Sequence, residues 1–169
     1  FPTRRSSDLV DVLWTDDKGT TPHFPLYEKA DWAKGYDVII HDECSADITK
    51  DSNPGYVENI LAAHKNGTPA VNLHCAMHCY RTSPDFKKPV ESGTDGSLWF
   101  DYLGLQSSGH GPQKPISVSY VDANHGITKG LENWVTINEE LYNNIQIAGN
   151  TKALARGKQD AGDRPGQND

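Results

Sequence analysis

The chain has 169 residues, the length of one domain, and is long enough to bury a sizeable hydrophobic core. Its 16 Lys and Arg against 23 Asp and Glu give a formal net charge of -7, which argues against nucleic acid as a partner because a phosphate backbone would be repelled. No apolar run approaches the roughly 18 residues of a membrane-spanning helix. No short sequence period recurs either, which excludes a repeat array and a coiled coil.

The two ends of the chain differ in composition from its body. Residues 1–9, FPTRRSSDL, resemble the translation of a common sequencing adapter, so we exclude them from the fold and expect the natural gene to begin upstream. Residues 157–169 contain no apolar residue larger than Ala or Pro and are predicted to form a disordered tail. The predicted domain therefore spans residues 10–156 and is expected to be truncated at both ends.

Apolar runs and turn residues predict alternating strands and helices in this domain. The predicted strands are residues 10–14, 36–41, 69–74, 116–121, 134–140 and, as a last fragment, 153–155; the predicted helices are residues 26–34, 54–66 and 98–103. Asn53 is the predicted N-cap of the second helix and Pro54 its first residue. The strand, helix and strand over residues 36–74 form a right-handed βαβ unit, with both strands buried on two faces. The predicted fold class is α/β, a three-layer sandwich around a mostly parallel sheet.

Two neighbouring predicted strands end in polar, chemically reactive sequences. Residues 41–44 are His-Asp-Glu-Cys, and residues 74–81 are His-Cys-Ala-Met-His-Cys-Tyr-Arg. Ligands of open parallel sheets bind beyond the carboxyl ends of the strands. Because adjacent parallel strands end at the same edge of a sheet, we expect these two sequences to share a site.

The second of these sequences is compatible with several chemistries. Its two His and its two Cys are each spaced i, i+4, so each pair could chelate a metal from one face of a helix. The ligands of such a site would be His74, His78, Cys75 and Cys79, with a further ligand from Glu43, Cys44 or His110. No C-x-x-C or H-E-x-x-H motif is present, and no metal is assigned. Cys75 could instead be a nucleophile at a strand-to-helix turn, but the glycines of such an elbow are absent, so we interpret Cys75 as a small packed residue of the helix start.

Further candidate residues follow downstream. His110 lies in a Gly-His-Gly turn before a strand, and Glu139 and Glu140 stand next to Tyr142 at the end of another. A carboxylate beside a tyrosine can serve as a general acid or base. His125 lies in a sequence of ordinary turn chemistry and is interpreted as structural.

Three cysteines are too few for a disulfide scaffold. In an oxidising compartment Cys44 could pair with Cys79 or with Cys75. Since Cys44 and Cys79 each lie a few residues past the end of a neighbouring strand, we expect these two to approach within bridging distance.

Five segments of the chain together resemble the ThuA-like (trehalose utilisation) family. They are YDVII, GTPAVNLHCA, the GHG turn, DANHGITKGL and NEELYNN, and the similarity covers about residues 10–155. The resemblance implies a flavodoxin-like parallel sheet similar to that of class I glutamine amidotransferases. It also implies a role in carbohydrate metabolism with a small-molecule carbohydrate as partner. The HDEC and HCAMHCYR sequences resemble a bacterial branch of the family whose members are often exported, which favours an extracytoplasmic location.

The resemblance also implies roles for particular residues. His74 stands where the amidotransferases place their Cys, which argues against amidotransferase chemistry. His110 matches the His of the family's Ser-His turn, and residues 139–142 match its acidic element. The family's usual final strand and its Leu-Gly-His segment have no counterpart in this chain.

These observations lead to one principal prediction and two alternatives. The principal prediction is an enzyme that acts on a sugar or keto-sugar derivative by isomerisation or hydrolysis, using acid–base chemistry. The predicted catalytic residues are His74, His110, Glu140 and Glu43, and the predicted substrate-binding residues are Tyr142, His41, Tyr80 and Arg81. His74 is expected within side-chain reach of at least one of Glu43, His110 or Glu140.

The first alternative is a non-catalytic carbohydrate-binding domain in which Trp99 and Tyr80 stack on sugar rings. The second is a metal-dependent hydrolase that uses the His and Cys cluster. The sequence does not identify a cofactor or an oligomeric state.

Overall fold

The computed structural model describes residues 10–49, 55–81, 85–149 and 151–160. Its strands and α-helices are, in chain order, β1 (Ile39–His41), α1 (Tyr56–Lys65), β2 (Ala70–Asn72), α2 (Leu98–Leu103), β3 (Leu105–Tyr120), β4 (Trp134–Ile147) and β5 (Ala155–Gln159). Short 3-10 helices lie at Pro25–Glu28, His74–His78 and Asp95–Ser97. The strands form two small sheets: β1 and β2 pair in parallel, and the other three pair antiparallel in the order β4-β3-β5.

The predicted three-layer sandwich around a mostly parallel, flavodoxin-like sheet is therefore wrong. In the described part of the chain only β1 and β2 are parallel, with three residues each, whereas the long strands are antiparallel. The turn predicted at residues 109–112, Gly-His-Gly-Pro, is also wrong, because these residues lie inside β3. Register shifts along the β3–β4 pair absorb these residues, as β-bulges do, so the strand continues through them.

The predicted strand, helix and strand are confirmed as β1, α1 and β2, but the predicted burial of both strands on two faces is wrong, because Ile40 and Val71 are exposed. These strands pair in parallel with Ile39 opposite Ala70 and His41 opposite Asn72, and α1 connects them. Helix α1 begins after Gly55, whose φ of +82° lies in the left-handed region that glycine adopts without strain. The predicted N-cap Asn53 and first helical residue Pro54 lie outside the described residues. The predicted helix at residues 98–103 is confirmed as α2.

Three other predicted elements differ from the structure. Residues 10–14 form no strand and leave the side chain of Trp14 exposed. The predicted helix at residues 26–34 is reduced to the 3-10 turn Pro25–Glu28. Residues 157–159, predicted as tail, belong to β5, where Gly157 packs so closely that an added Cβ would lie 2.5 Å from a methyl carbon of Leu141. Residues 1–9 and 161–169 lie outside the described residues.

The hydrophobic core is rich in aromatic side chains. Its largest members are Tyr27, Trp32, Tyr56, Tyr80 and Trp99, which pack with the apolar face of α1. Burying each large side chain contributes about 1.5–3 kcal/mol. This core covers one face of the β1–β2 sheet, where Ile39 packs. The opposite face exposes the side chains of Val38, Ile40, Val71 and Leu73.

Candidate functional site

Five of the seven histidines form two clusters of similar composition. The buried cluster comprises His41, Glu43, His64, Tyr27 and Tyr80. The surface site comprises His74, His78, His110, Glu139, Glu140 and Tyr142. The two clusters follow neighbouring strands: β1 ends at His41 of the buried cluster, and the paired strand β2 ends two residues before His74 of the surface site.

In the buried cluster a carboxylate and two imidazoles lie in a row. The Nδ1 atom of His41 is 3.0 Å from Oε1 of Glu43, and its Nε2 atom is 3.0 Å from Nε2 of His64. Tyr80 donates its hydroxyl hydrogen to the same Glu43 oxygen at 2.8 Å. His41 is fully buried, so each of these polar atoms depends on its protein partner rather than on water.

The hydrogen bonds fix where the protons of this row lie. His64 donates from Nδ1 to the carbonyl oxygen of Thr68 at 2.8 Å, and burial lowers the pKa of His64 and keeps it neutral. Its Nε2 atom therefore accepts, and His41 donates from Nε2. Burial raises the pKa of Glu43, but the hydrogen bonds from His41 and Tyr80 and the charge of His41 outweigh it, so this pKa lies below its usual value. Glu43 is thus ionised, and its carboxylate is the acceptor at one end of this buried row.

The surface site is built from the turn after β2 and from the β3–β4 pair. His74 begins the 3-10 helix after β2 with a φ of +47°, and its Nε2 atom lies 3.3 Å from Oε1 of Glu139 on β4. His110 on β3 lies opposite Tyr142 on β4, and its Nδ1 atom is 3.8 Å from Oε2 of Glu140. The site thus holds two imidazole–carboxylate pairs. The His74 and His110 side chains are 51% and 41% exposed, which leaves both accessible to a ligand.

Tyr142 lies between these pairs. Its ring centroid is 6.0 Å from that of His74, 4.7 Å from that of His78 and 5.5 Å from that of His110. Its hydroxyl is buried and has no hydrogen-bond partner among the described residues. Burial and the carboxylates of Glu140 and Glu139 raise the pKa of Tyr142 to about 12, so the phenol stays protonated. The site therefore contains a hydrogen-bond donor that the fold itself does not use.

His78 packs against the His110 and Tyr142 rings on the buried side of the site. It is buried, its Nε2 atom lies 2.8 Å from Oγ of Ser107, and its ring stacks on His110 at 6.2 Å between centroids. Burial, together with the charges of Arg81 and His110, lowers the pKa of His78 to about 4. His78 is therefore a neutral support for the Tyr142 and His110 rings at neutral pH.

The predicted site residues divide between the two clusters. His74, His110, Glu140 and Tyr142 lie in the surface site, whereas Glu43, His41 and Tyr80 lie in the buried cluster. Arg81 lies next to the surface site: it donates from Nε to the carbonyl oxygen of His78 at 2.8 Å, and its guanidinium stacks on Phe86.

Two residues of the surface site, Glu139 and His78, are not among the predicted catalytic and substrate-binding residues. The carboxylate that His74 contacts is that of Glu139, while Glu140 lies beside His110. From the sequence, His78 is predicted only as a possible metal ligand. Its i, i+4 spacing from His74 indicates that the two side chains lie near each other. The stacking roles considered for Trp99 and Tyr80 find no support, because both rings are 1% exposed and present no face to a sugar.

A disulfide joins Cys44 to Cys75, with 4.9 Å between their Cα atoms. Of the two pairings considered for Cys44, the one with Cys75 is confirmed and a bridge to Cys79 is not formed. The Cys79 sulfur nevertheless lies 3.1 Å from the amide nitrogen of Ser45 and 3.0 Å from the carbonyl oxygen of Glu43, the two residues that flank Cys44. The bridge spans 31 residues, the same offset that separates register partners of β1 and β2, so the register itself places Cys75 opposite Cys44. Cys75 is thus not merely a packed residue of the helix start, and in this bridge it has no thiol to act as a nucleophile. Cys79 is a buried free cysteine.

The structure offers few ligands for the metal ion that the metal-dependent alternative requires. In the described ranges, no group of three or more His, Cys, Asp or Glu residues is arranged to hold a metal ion. The disulfide also removes Cys44 and Cys75 from the set of donors considered from the sequence.

None of the helices in the described part of the chain has the length and apolar content that a bilayer crossing requires. No protein-family model, curated protein or solved structure matches the chain. The site is therefore interpreted from its own residues.

Proposed function

We propose that the surface site catalyses acid–base chemistry on a neutral sugar or keto-sugar derivative, and that the reaction is an isomerisation. One observation carries this proposal: two half-exposed imidazoles, each within 4 Å of a carboxylate, lie on the same tyrosine ring and are both accessible to a ligand. Isomerisation of a hydroxy-carbonyl compound needs a base that removes a proton, an acid that returns one, and a donor that polarises the carbonyl.

The residues of the surface site have roles in this reaction that follow from their positions. His74 and His110 exchange protons with the substrate, because imidazole can take up and release a proton near neutral pH. Glu139 orients the His74 imidazole, whose Nε2 atom is 3.3 Å from the Glu139 carboxylate. The His110 imidazole is oriented by the Gly111 carbonyl oxygen, 2.9 Å from its Nδ1 atom, with Glu140 at 3.8 Å from the same nitrogen. The imidazole that carries the proton donates it to the substrate carbonyl oxygen, where negative charge develops, and the ring of Tyr142 packs against both imidazoles.

The charge of the site favours a neutral substrate. Two carboxylates line it, and the whole chain carries a formal charge of -7, so an anionic substrate would be repelled. The sequence resemblance to the ThuA-like family independently suggests a carbohydrate.

Hydrogen exchange with solvent provides the test. The protein is incubated in D₂O with a panel of aldoses, ketoses and keto-sugars, and deuterium incorporation next to the carbonyl is followed by NMR. We expect incorporation with at least one compound, and a loss of roughly 10²–10⁴-fold in rate for His74→Gln and for His110→Gln. His125→Gln serves as the matched control, because His125 lies in the loop between β3 and β4, outside the site. Absence of exchange over the panel, or full rates in both site variants, would refute the proposal.

A further inference from the structure

The backbone of His74 is in an unfavourable conformation. Its φ of +47° lies in the left-handed region, which non-glycine residues rarely adopt, and together with Tyr80 it is one of two such residues in the described chain. Residues in such conformations persist where the surrounding structure holds them, and they concentrate at functional sites. Something must therefore hold the turn at His74.

The Cys44–Cys75 disulfide is the covalent restraint on this turn. Cys75 directly follows His74, and Cys44 directly follows Glu43, whose side chain is 6% exposed and bound within the buried cluster. The bridge thus connects a rigid part of the core to the residue next to His74. Hydrogen bonds also restrain the turn: the Leu73 amide donates to the His41 carbonyl at 2.9 Å before it, and the Ala76 amide donates to the Leu73 carbonyl at 2.9 Å across it. The disulfide adds the covalent link between this turn and the segment after β1.

The three cysteines differ in accessibility. Cys44 and Cys75 are each partly exposed, whereas Cys79 is fully buried. The Cys79 sulfur accepts a hydrogen bond from the Ser45 amide and donates one to the Glu43 carbonyl. Burial raises the pKa of Cys79 far above its ordinary value, so its thiol is unreactive. A soluble dithiol can therefore reach the bridge, and Cys79 does not compete for it.

We propose that the Cys44–Cys75 disulfide is the positioning element of His74, and that its reduction by a dithiol releases His74 from Glu139 and switches the surface site off. In this step a thiolate of the dithiol attacks one sulfur of the bridge and forms a mixed disulfide. The second thiol of the reagent then displaces the remaining protein sulfur. Two electrons and two protons pass to Cys44 and Cys75, which become thiols, and the reagent becomes a disulfide. The switching of activity rests on the proposed function, whereas the positioning of His74 does not.

NMR of the full chain with labelled histidine tests the positioning directly. The imidazole signals of His74 are assigned with His74→Gln, and the change that Glu139→Gln causes in them measures the contact between the two side chains. We expect this change to be clear in the oxidised protein and to fall by more than half after treatment with dithiothreitol. It should return on reoxidation.

Two sets of variants control the experiment. Cys79→Ser keeps the bridge and should respond to dithiothreitol as the wild type does, whereas Cys44→Ser/Cys75→Ser should resemble the reduced wild type and ignore the reagent. The signals of His41 and His64 report on the core and should be unchanged throughout. An equal effect of Glu139→Gln in both redox states would overturn the proposal. Loss of the His41 and His64 signals on reduction would overturn it too, because the bridge would then hold the whole domain rather than the turn.

The turnover assay separates this inference from the proposed function. If a sugar is turned over, its rate should fall on reduction together with the Glu139-dependent signal of His74. If that signal responds to reduction while no compound of the panel exchanges deuterium, the positioning role stands and the proposed function fails. If a sugar is turned over equally well in both redox states, the switch is refuted while the proposed function stands.

Discussion

The two histidine clusters use the same side chains in opposite environments. In the buried cluster His41 and Glu43 lie 3.0 Å apart with side chains that are 0% and 6% exposed, whereas in the surface site His74 and Glu139 lie 3.3 Å apart at 51% and 37% exposure. In the first, the fold satisfies the polar groups, as the hydroxyl of Tyr80 does for Glu43. In the second, the hydroxyl of Tyr142 has no partner among the described residues. The comparison teaches that a His–Glu–Tyr set becomes structural when its hydrogen bonds are complete and available for chemistry when one is left over.

The largest expected difference between the clusters is in stability. Glu43→Gln removes a buried carboxylate that is hydrogen-bonded to His41 and Tyr80, and the loss of each such bond to a charged group should cost about 1.5–3 kcal/mol. Glu139→Gln is the matched control, because an exposed pair contributes at most about 1 kcal/mol. Urea unfolding of both variants measures the free energies of unfolding. Similar losses in the two variants would show that burial does not distinguish the clusters.

A second prediction concerns the loss of stability at acidic pH. His78 supports the surface site but is itself buried, and its pKa is lowered from 6.5 to about 4. The unfolded chain therefore binds more protons than the folded one between these pH values, so the stability that neutral His78 contributes is lost as pH falls from about 6.5 towards 4. At about 1.36 kcal/mol per pH unit this amounts to roughly 3 kcal/mol. His78→Gln should flatten the pH dependence of the free energy of unfolding over this window, and an unchanged slope would contradict the assignment.

The smallest expected difference is between the two tyrosines. Tyr80→Phe removes a hydrogen bond to a buried carboxylate and should cost about 1.5–3 kcal/mol. Tyr142→Phe removes a hydroxyl that makes no hydrogen bond within the described chain, so it should leave the melting temperature unchanged or raise it slightly. Thermal unfolding of the two variants compares these effects. A marked loss of stability in Tyr142→Phe would show that its hydroxyl is already used by the fold.

The sequence predicted what depends on local pattern. The apolar runs around Ile39 and Val71 gave the parallel pair β1–β2, and the aromatic segment at residues 98–103 gave α2. His74 and His110 were identified because histidines in turn sequences are unusual and chemically useful. In both cases the signal lies within a few neighbouring residues.

What the sequence did not predict depends on long-range pairing. The β3–β4 pair joins residues up to about 40 positions apart, and its register is irregular. The glycines and prolines of β3 are typical of turns, so the sequence does not indicate a long strand there. The β3–β4 pair places Glu139 3.3 Å from His74 and Glu140 beside His110, an assignment that the spacing within the sequence does not contain. The disulfide partner was missed for a similar reason, because the offset of 31 residues becomes visible only when the β1–β2 register is known.

The bare face of the β1–β2 sheet has a consequence for how the protein behaves in solution. Ile40 and Val71 are register partners, and with Val38 and Leu73 they form an apolar patch on a sheet whose two edges are unpaired in the described chain. At neutral pH the formal charge of -7 keeps such patches on different molecules apart. Salt at about 0.15 M reduces the range of that repulsion to about 8 Å, and a pH near the isoelectric point of 5.4 removes it. Colloidal stability of this protein is therefore electrostatic in origin, and light scattering should show aggregation rising with ionic strength and suppressed by Ile40→Lys.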